Sequence, residues 1–111
     1  MTAVRVLEYL DRSGRSPWRR WFNDLDAHAA AKVGAALYRL GLGNFSAVEG
    51  VGSGVFEVKI DFGPGYRIYF GKDGETVVIL LGGSTKKRQS AAIGAAHKAW
   101  ADFKQRKKGA A

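Results

Sequence analysis

Residues 54–88, GVFEVKIDFGPGYRIYFGKDGETVVILLGGSTKKR, hold three strand-like segments separated by two turn signals, and their reading decides the fold. Phe56, Val58, Ile60 and Phe62 alternate with Val55, Glu57, Lys59 and Asp61, the period-two pattern of a half-buried strand. Gly63-Pro64-Gly65 stops it, because proline fixes φ and lacks a donor while the flanking glycines accept backbone angles that other residues resist. Tyr66, Ile68 and Phe70 resume the alternation, with Arg67 and Tyr69 on the opposite side. Asp73-Gly74 is a dipeptide favoured in two-residue hairpin loops, whose central positions need positive φ, and residues 76–81 form the next strand.

Parity predicts the register. A two-residue loop at Asp73-Gly74 sets Phe70 opposite Val77, Ile68 opposite Ile79 and Tyr66 opposite Leu81. A three-residue loop in the first hairpin sets Phe62 opposite Tyr66, Ile60 opposite Ile68 and Val58 opposite Phe70. One face of the sheet is then core. The other, carrying Glu57, Lys59, Asp61, Arg67 and Tyr69, is expected to face solvent. Residues 77–81 are apolar throughout, which marks a central strand covered on both sides.

Outward from this sheet, residues 2–10 (TAVRVLEYL) read as a first strand pairing with it. Ser16-Pro17 is a helix start, with serine as N-cap and proline where its missing donor costs nothing. Trp18, Trp21, Phe22 and Leu25 follow as one apolar stripe. Asp26 caps a second helix to about Leu40, with the stripe Ala29, Val33, Ala36, Leu37 and Leu40, making a helical hairpin. Gly41 and Gly43-Asn44 end it. Residues 45–53 are a loop or short extended piece. Ser90 caps a last helix, residues 91–106, with Ile93, Ala96, Trp100 and Phe103 on its apolar face, and the final residues are expected to fray. The fold class is α+β, one domain over residues 1–111.

A chain of 111 residues buries roughly two-thirds of its unfolded surface, enough for a core without staples. It has no cysteine, in keeping with a reducing cytosol and a cytoplasmic location. No apolar run approaches the ~20 residues of a membrane span. The opening residues MTAVRVLEYLDRSGR lack a long apolar core, so neither a signal peptide nor a membrane partner is expected. The net charge of +8 is uneven: residues 1–84 carry ten Lys/Arg and nine Asp/Glu, residues 85–111 eight and one. Such a field favours a polyanion, above all nucleic acid, although residues 104–108 read equally as a solubilising tail.

His28 and His97 stand alone, without the i+4 partner of a zinc pair, and no cofactor or metal is expected. Glu57 and Asp61 read equally as neutralising Lys59 and Arg67 or as moving protons in acid–base work. A cluster of cations with one phenol remains: Lys59, Arg67 and Tyr69 on the strand face, with Lys86, Lys87 and Arg88 arriving at one end of the sheet. Guanidinium groups make paired hydrogen bonds to phosphate oxygens and stabilise the charge of a pentacoordinate transition state. Tyrosine stacks on a base, and RNA supplies its own nucleophile, the 2′-hydroxyl. The alternative is a polar face of merely solvated basic residues.

The segment from RLGLGNFSAVEGVGSGV through GGSTKKRQ resembles the small toxins of bacterial toxin–antitoxin modules in the RelE/ParE superfamily, particularly the HigB-like "addiction module killer" branch. The resemblance spans residues 18–100. It is carried by Gly43-Asn44-Phe45, by Phe62-Gly63-Pro64-Gly65-Tyr66-Arg67, and by Leu81-Gly82-Gly83 followed by Lys86-Lys87-Arg88-Gln89. It implies a RelE-like fold: N-terminal strand, helical hairpin, antiparallel meander and closing helix. It also implies a ribosome-dependent endoribonuclease that cuts messenger RNA without a metal. Arg67, Lys86, Arg88 and Tyr69 would then be catalytic, and Lys59, Lys87 and Lys104 RNA-binding. The implied partners are a cognate antitoxin and message on the ribosome, and the toxin–antitoxin complex would bind operator DNA. RelE has a tyrosine near its C-terminal end, whereas residues 90–96 here have none. A ParE-like toxin of the same fold that poisons DNA gyrase, or an inactive relic that only binds antitoxin, stays open beside the nuclease.

Overall fold

A computed structural model describes residues 3–109. Its sheet has five strands in the order β1-β5-β4-β3-β2: β1 (Arg5–Glu8), β2 (Val48–Gly50), β3 (Val55–Ile60), β4 (Tyr66–Lys72) and β5 (Val77–Thr85). β2 to β5 are the expected antiparallel meander. β1 joins parallel to β5, which makes the sheet mixed and β5 internal. The expected first strand shortens to β1, and its first residue, Thr2, lies outside the described residues.

Helices cover both faces. α1 (Pro17–Asn23) starts where Ser16 accepts a hydrogen bond from the Arg19 amide, and α2 (Ala27–Gly41) where Asp26 accepts one from Ala29. Trp18, Ala29, Val33, Ala36 and Leu40 from this hairpin pack on Val58, Ile60, Tyr66, Ile68, Phe70, Val78 and Leu80. On the opposite face lies α3 (Gln89–Gly109), whose Ala96, Ala99 and Trp100 bury Val55, Tyr69, Ile79 and Leu81. A short 3-10 turn, Lys86–Arg88, joins β5 to α3, so Ser90 sits inside the helix rather than capping it. Helix extends through Gly109, three residues past the expected end, and Ala110 and Ala111 lie outside the described residues.

Two register expectations are corrected. In the first hairpin Ile60 pairs with Tyr66 and Val58 with Ile68, a slip of two residues that keeps parity and therefore the faces. The loop is residues 61–65, closed by Gly65 N–H donating to the Phe62 carbonyl, with φ of +56° at Gly63 and +80° at Gly65. In the second hairpin Lys72 pairs with Val78 and Phe70 with Leu80, a slip of three. That odd slip turns Val77, Ile79 and Leu81 toward α3. Because residues 77–81 are apolar on both sides, their pattern did not fix which side faced which layer. Past Leu80 the pairing resumes at Tyr69 with Gly82, a bulge that leaves Leu81 unpaired.

Two glycines let indoles reach the backbone, one on each face. A Cβ at Gly71 would stand 2.5 Å from the Trp100 ring, and one at Gly83 would stand 2.2 Å from the Trp21 ring. The sheet is thus clamped between α1 and α3 by one tryptophan from each.

Candidate nucleic-acid interface

β5 ends in Gly82-Gly83-Ser84-Thr85 and runs directly into the turn Lys86–Arg88. The Lys86 amide donates to the Gly65 carbonyl at 2.9 Å, tying this basic turn to the first hairpin. Lys86, Lys87 and Arg88 are exposed, and none forms an ion pair among the described residues. Adjacent like charges without counter-charges create a local potential that a polyanion relieves. The turn separates two concavities. Lys86 and residues 61–65 line one of about 410 Å³. Lys87 and Arg88 border another of about 770 Å³ with Trp21, residues 83–85 and residues 90–92.

Arg67 and Tyr69 stand elsewhere than expected. The sheet face that carries them is covered by α3, so neither side chain reaches solvent as a reactive group. Arg67 is 6% exposed: its Nη1 donates to the Tyr66 carbonyl at 3.1 Å, and its buried Nε lies 3.8 Å from Glu57 Oε1 without a hydrogen bond. Glu57, 1% exposed, accepts two hydrogen bonds from Gln89 Nε2, at 3.1 and 2.9 Å. Tyr69 is fully buried, its hydroxyl 3.0 Å from Ser84 Oγ, and so placed it cannot stack on a base. Burial pushes its phenol above the ordinary tyrosine range, with the Ser84 hydrogen bond pulling the other way. The guanidinium lies just under the hairpin: a Cβ on Gly65 would stand 3.6 Å from Arg67 Nη1 and 3.4 Å from Lys86 Cβ.

Lys59 pairs with Arg67 across the strands, yet their side chains part, Lys59 reaching Glu49 at 3.1 Å while Arg67 turns to Glu57. Lys104 lies over the Trp100 ring at 5.7 Å, beside Lys72 and Asp73. It is fifteen residues along α3 from Gln89, roughly 22 Å away at helical rise, and takes no part in the basic turn. His28 is exposed, and His97 Nε2 lies 2.9 Å from the Val51 carbonyl. Among the described residues no cluster of metal-ligating side chains is gathered, and no helix is long and apolar enough to cross a membrane.

Gln89, which holds Glu57, and Trp21, which walls the larger cleft, were not among the residues expected from sequence. For Trp21 the signal was Gly82-Gly83 inside an apolar strand, a mark of close approach. Gln89 stood out only as the last residue of the Lys86-Lys87-Arg88-Gln89 motif, with nothing to mark it as the partner of Glu57.

The sequence pattern of the family described as phage-derived protein Gp49-like (DUF891) matches residues 20–105, from α1 to near the end of α3. The chain belongs to this Gp49-like family. Among its relatives is a Haemophilus influenzae protein named only as uncharacterized, 41% identical over 70 residues, which cover 62% of this chain and 71% of that protein. Among solved structures, the Gp49-like fold matches a chain in the crystal structure of the toxin–antitoxin complex RelBE2 from Mycobacterium tuberculosis. The TM-score is 0.50 at 18% identity, covering 77% of this chain and all of that one. At that identity the likeness is one of fold, and it agrees with the expected α+β architecture of the Gp49-like chain.

Proposed function

We propose that this Gp49-like protein is the toxin of a toxin–antitoxin pair, of the HigB-like kind, and that it cleaves messenger RNA on the ribosome. The observation that carries the reading is the exposed, unpaired turn Lys86-Lys87-Arg88 at the exit of β5. The RNA backbone lies along this turn. Its 2′-oxygen attacks the adjacent phosphorus as the bond to the 5′-oxygen breaks, leaving a 2′,3′-cyclic phosphate and a 5′-hydroxyl. The 2′ proton passes to solvent and one returns to the leaving oxygen. Lys86 and Arg88 carry the charge that develops on the phosphoryl oxygens, and Lys87 binds a neighbouring phosphate. Arg67 acts from beneath as a positioning residue that fixes the hairpin on which Lys86 rests.

Burial of Arg67 and Tyr69 favours one other reading, a toxin of the same fold that poisons DNA gyrase by binding. Adding purified protein to programmed ribosomes and, separately, to gyrase on plasmid DNA separates them. The proposal expects cut message and unaltered plasmid. Intact message with accumulating cleaved DNA would replace it with the second reading, and neither effect would leave a protein that only binds its antitoxin.

A further inference from the structure

We infer that the cleft on the Trp21 side of the basic turn is a nucleobase subsite, with the Trp21 indole as stacking wall and the free edge of β5 reading the base. This rests on the RNA reading above and extends it to what selects the position of cutting.

Trp21 is half-buried and held from behind. Gly83 leaves its ring against the strand backbone, and Tyr66 meets it edge-on with ring centres 6.3 Å apart. An indole fixed in this way offers a preset plane. Beside it, pairing of β1 with β5 ends at Leu80, so residues 82–85 have β4 on one side and no strand on the other. Backbone groups on that side have no ladder partner, so a base that enters the cleft can meet them with its donor and acceptor edge. The cleft's other wall is the first turn of α3, where Ser90, Ala91 and Ala92 leave space.

Charge selects the occupant. The cleft is bordered by Lys87 and Arg88, and no lining residue has a carboxylate. A planar group attached to phosphates satisfies all three features at once: the indole takes the ring, the strand edge takes its polar atoms, and the cations take the backbone. An acidic peptide adding as a strand fits less well. The bare edge offers it only residues 82–85, and Trp21 stands beside them.

The test is fluorescence anisotropy of short single-stranded RNAs of equal length, one abasic at its central nucleotide. Wild-type protein is expected to bind the base-bearing strand about tenfold more tightly, the scale of one aromatic stack. Ala91→Trp, a substitution at an exposed residue that fills the cleft, should abolish that preference, and Trp21→Leu should do so too if its circular dichroism is native. The slope against salt should remain, because Lys87 and Arg88 are untouched. Equal binding of the abasic and base-bearing strands by wild type, or an undiminished preference in Ala91→Trp, overturns the subsite while leaving the RNA reading intact. Absence of binding to either strand also overturns the subsite, whereas the RNA reading falls only if message on programmed ribosomes stays intact. Capture of an acidic peptide in place of RNA, lost in Ala91→Trp, would overturn the subsite and assign the cleft to a protein partner.

Discussion

Arg67 and Arg88 come from adjoining strand and turn, and the comparison between their surroundings explains the molecule. Arg67 stands on a sheet face closed by α3, diagonal to Glu57, which Gln89 holds with two hydrogen bonds. Arg88 stands past the end of that sheet, exposed and without a carboxylate partner among the described residues. A guanidinium in the first setting is part of the architecture, because removing one member of a buried pair strands the other charge. In the second its charge is available to a ligand.

That contrast is broken most directly at Arg67. Arg67→Ala is expected to lose about 3–5 kcal/mol of stability in urea denaturation, with partial recovery on adding Glu57→Gln, while Lys86→Ala stays within about 0.5 kcal/mol of wild type. An Arg67→Ala protein as stable as wild type would show that the interior pair is not structural. Gln89→Ala, which removes the donor to Glu57, should cost about 1.5–3 kcal/mol by the same measurement without touching the exposed cations. Lys87→Ala with Arg88→Ala should leave the melting temperature unchanged. The slope of log affinity for single-stranded RNA against log salt should become shallower by about 0.7 for each phosphate that is no longer neutralised. The smallest effect concerns Tyr69. Its phenol is held above the usual range, so the neutral form is favoured in the folded state. Its contribution is therefore complete below the unfolded value of about 10 and is lost as pH rises from there through the folded value. Tyr69→Phe should cost about 1 kcal/mol at neutral pH through the missing Ser84 bond and lessen the alkaline fall in melting temperature.

Sequence made the elements legible because their local chemistry is strong. Ser16-Pro17 and Asp26 start helices, Gly63-Pro64-Gly65 reverses the chain, and alternation from Phe56 onward places the core face correctly. Lys86, Lys87 and Arg88 were legible as a basic turn leaving the sheet for the same reason. What was not legible is tertiary. The residues of β5 are apolar on both sides, so parity could not distinguish them, and the face bearing Glu57, Arg67 and Tyr69 has the alternation of a solvated one although it is covered. Most of its polar groups find partners inside: Gln89 binds Glu57, Ser84 binds Tyr69 and the Tyr66 carbonyl accepts from Arg67 Nη1, while Arg67 Nε has only the Glu57 charge beside it. A buried polar network and a solvated polar face share the same alternation. Only the course of α3 separates them: its apolar side, with Ile93, Ala96, Trp100 and Phe103, was legible, but nothing local said which sheet face it would cover.

The central claim is that the exposed turn, and not the interior arginine, does the work on RNA. Mapping message ends after brief expression tests it, comparing wild type with the triple variant Lys86→Ala, Lys87→Ala and Arg88→Ala after its native fold has been verified. New 5′-hydroxyl ends in wild type that vanish in the triple variant are the predicted result. The same ends at the same frequency in both, or an intact message in cells whose growth wild type has stopped, would contradict it.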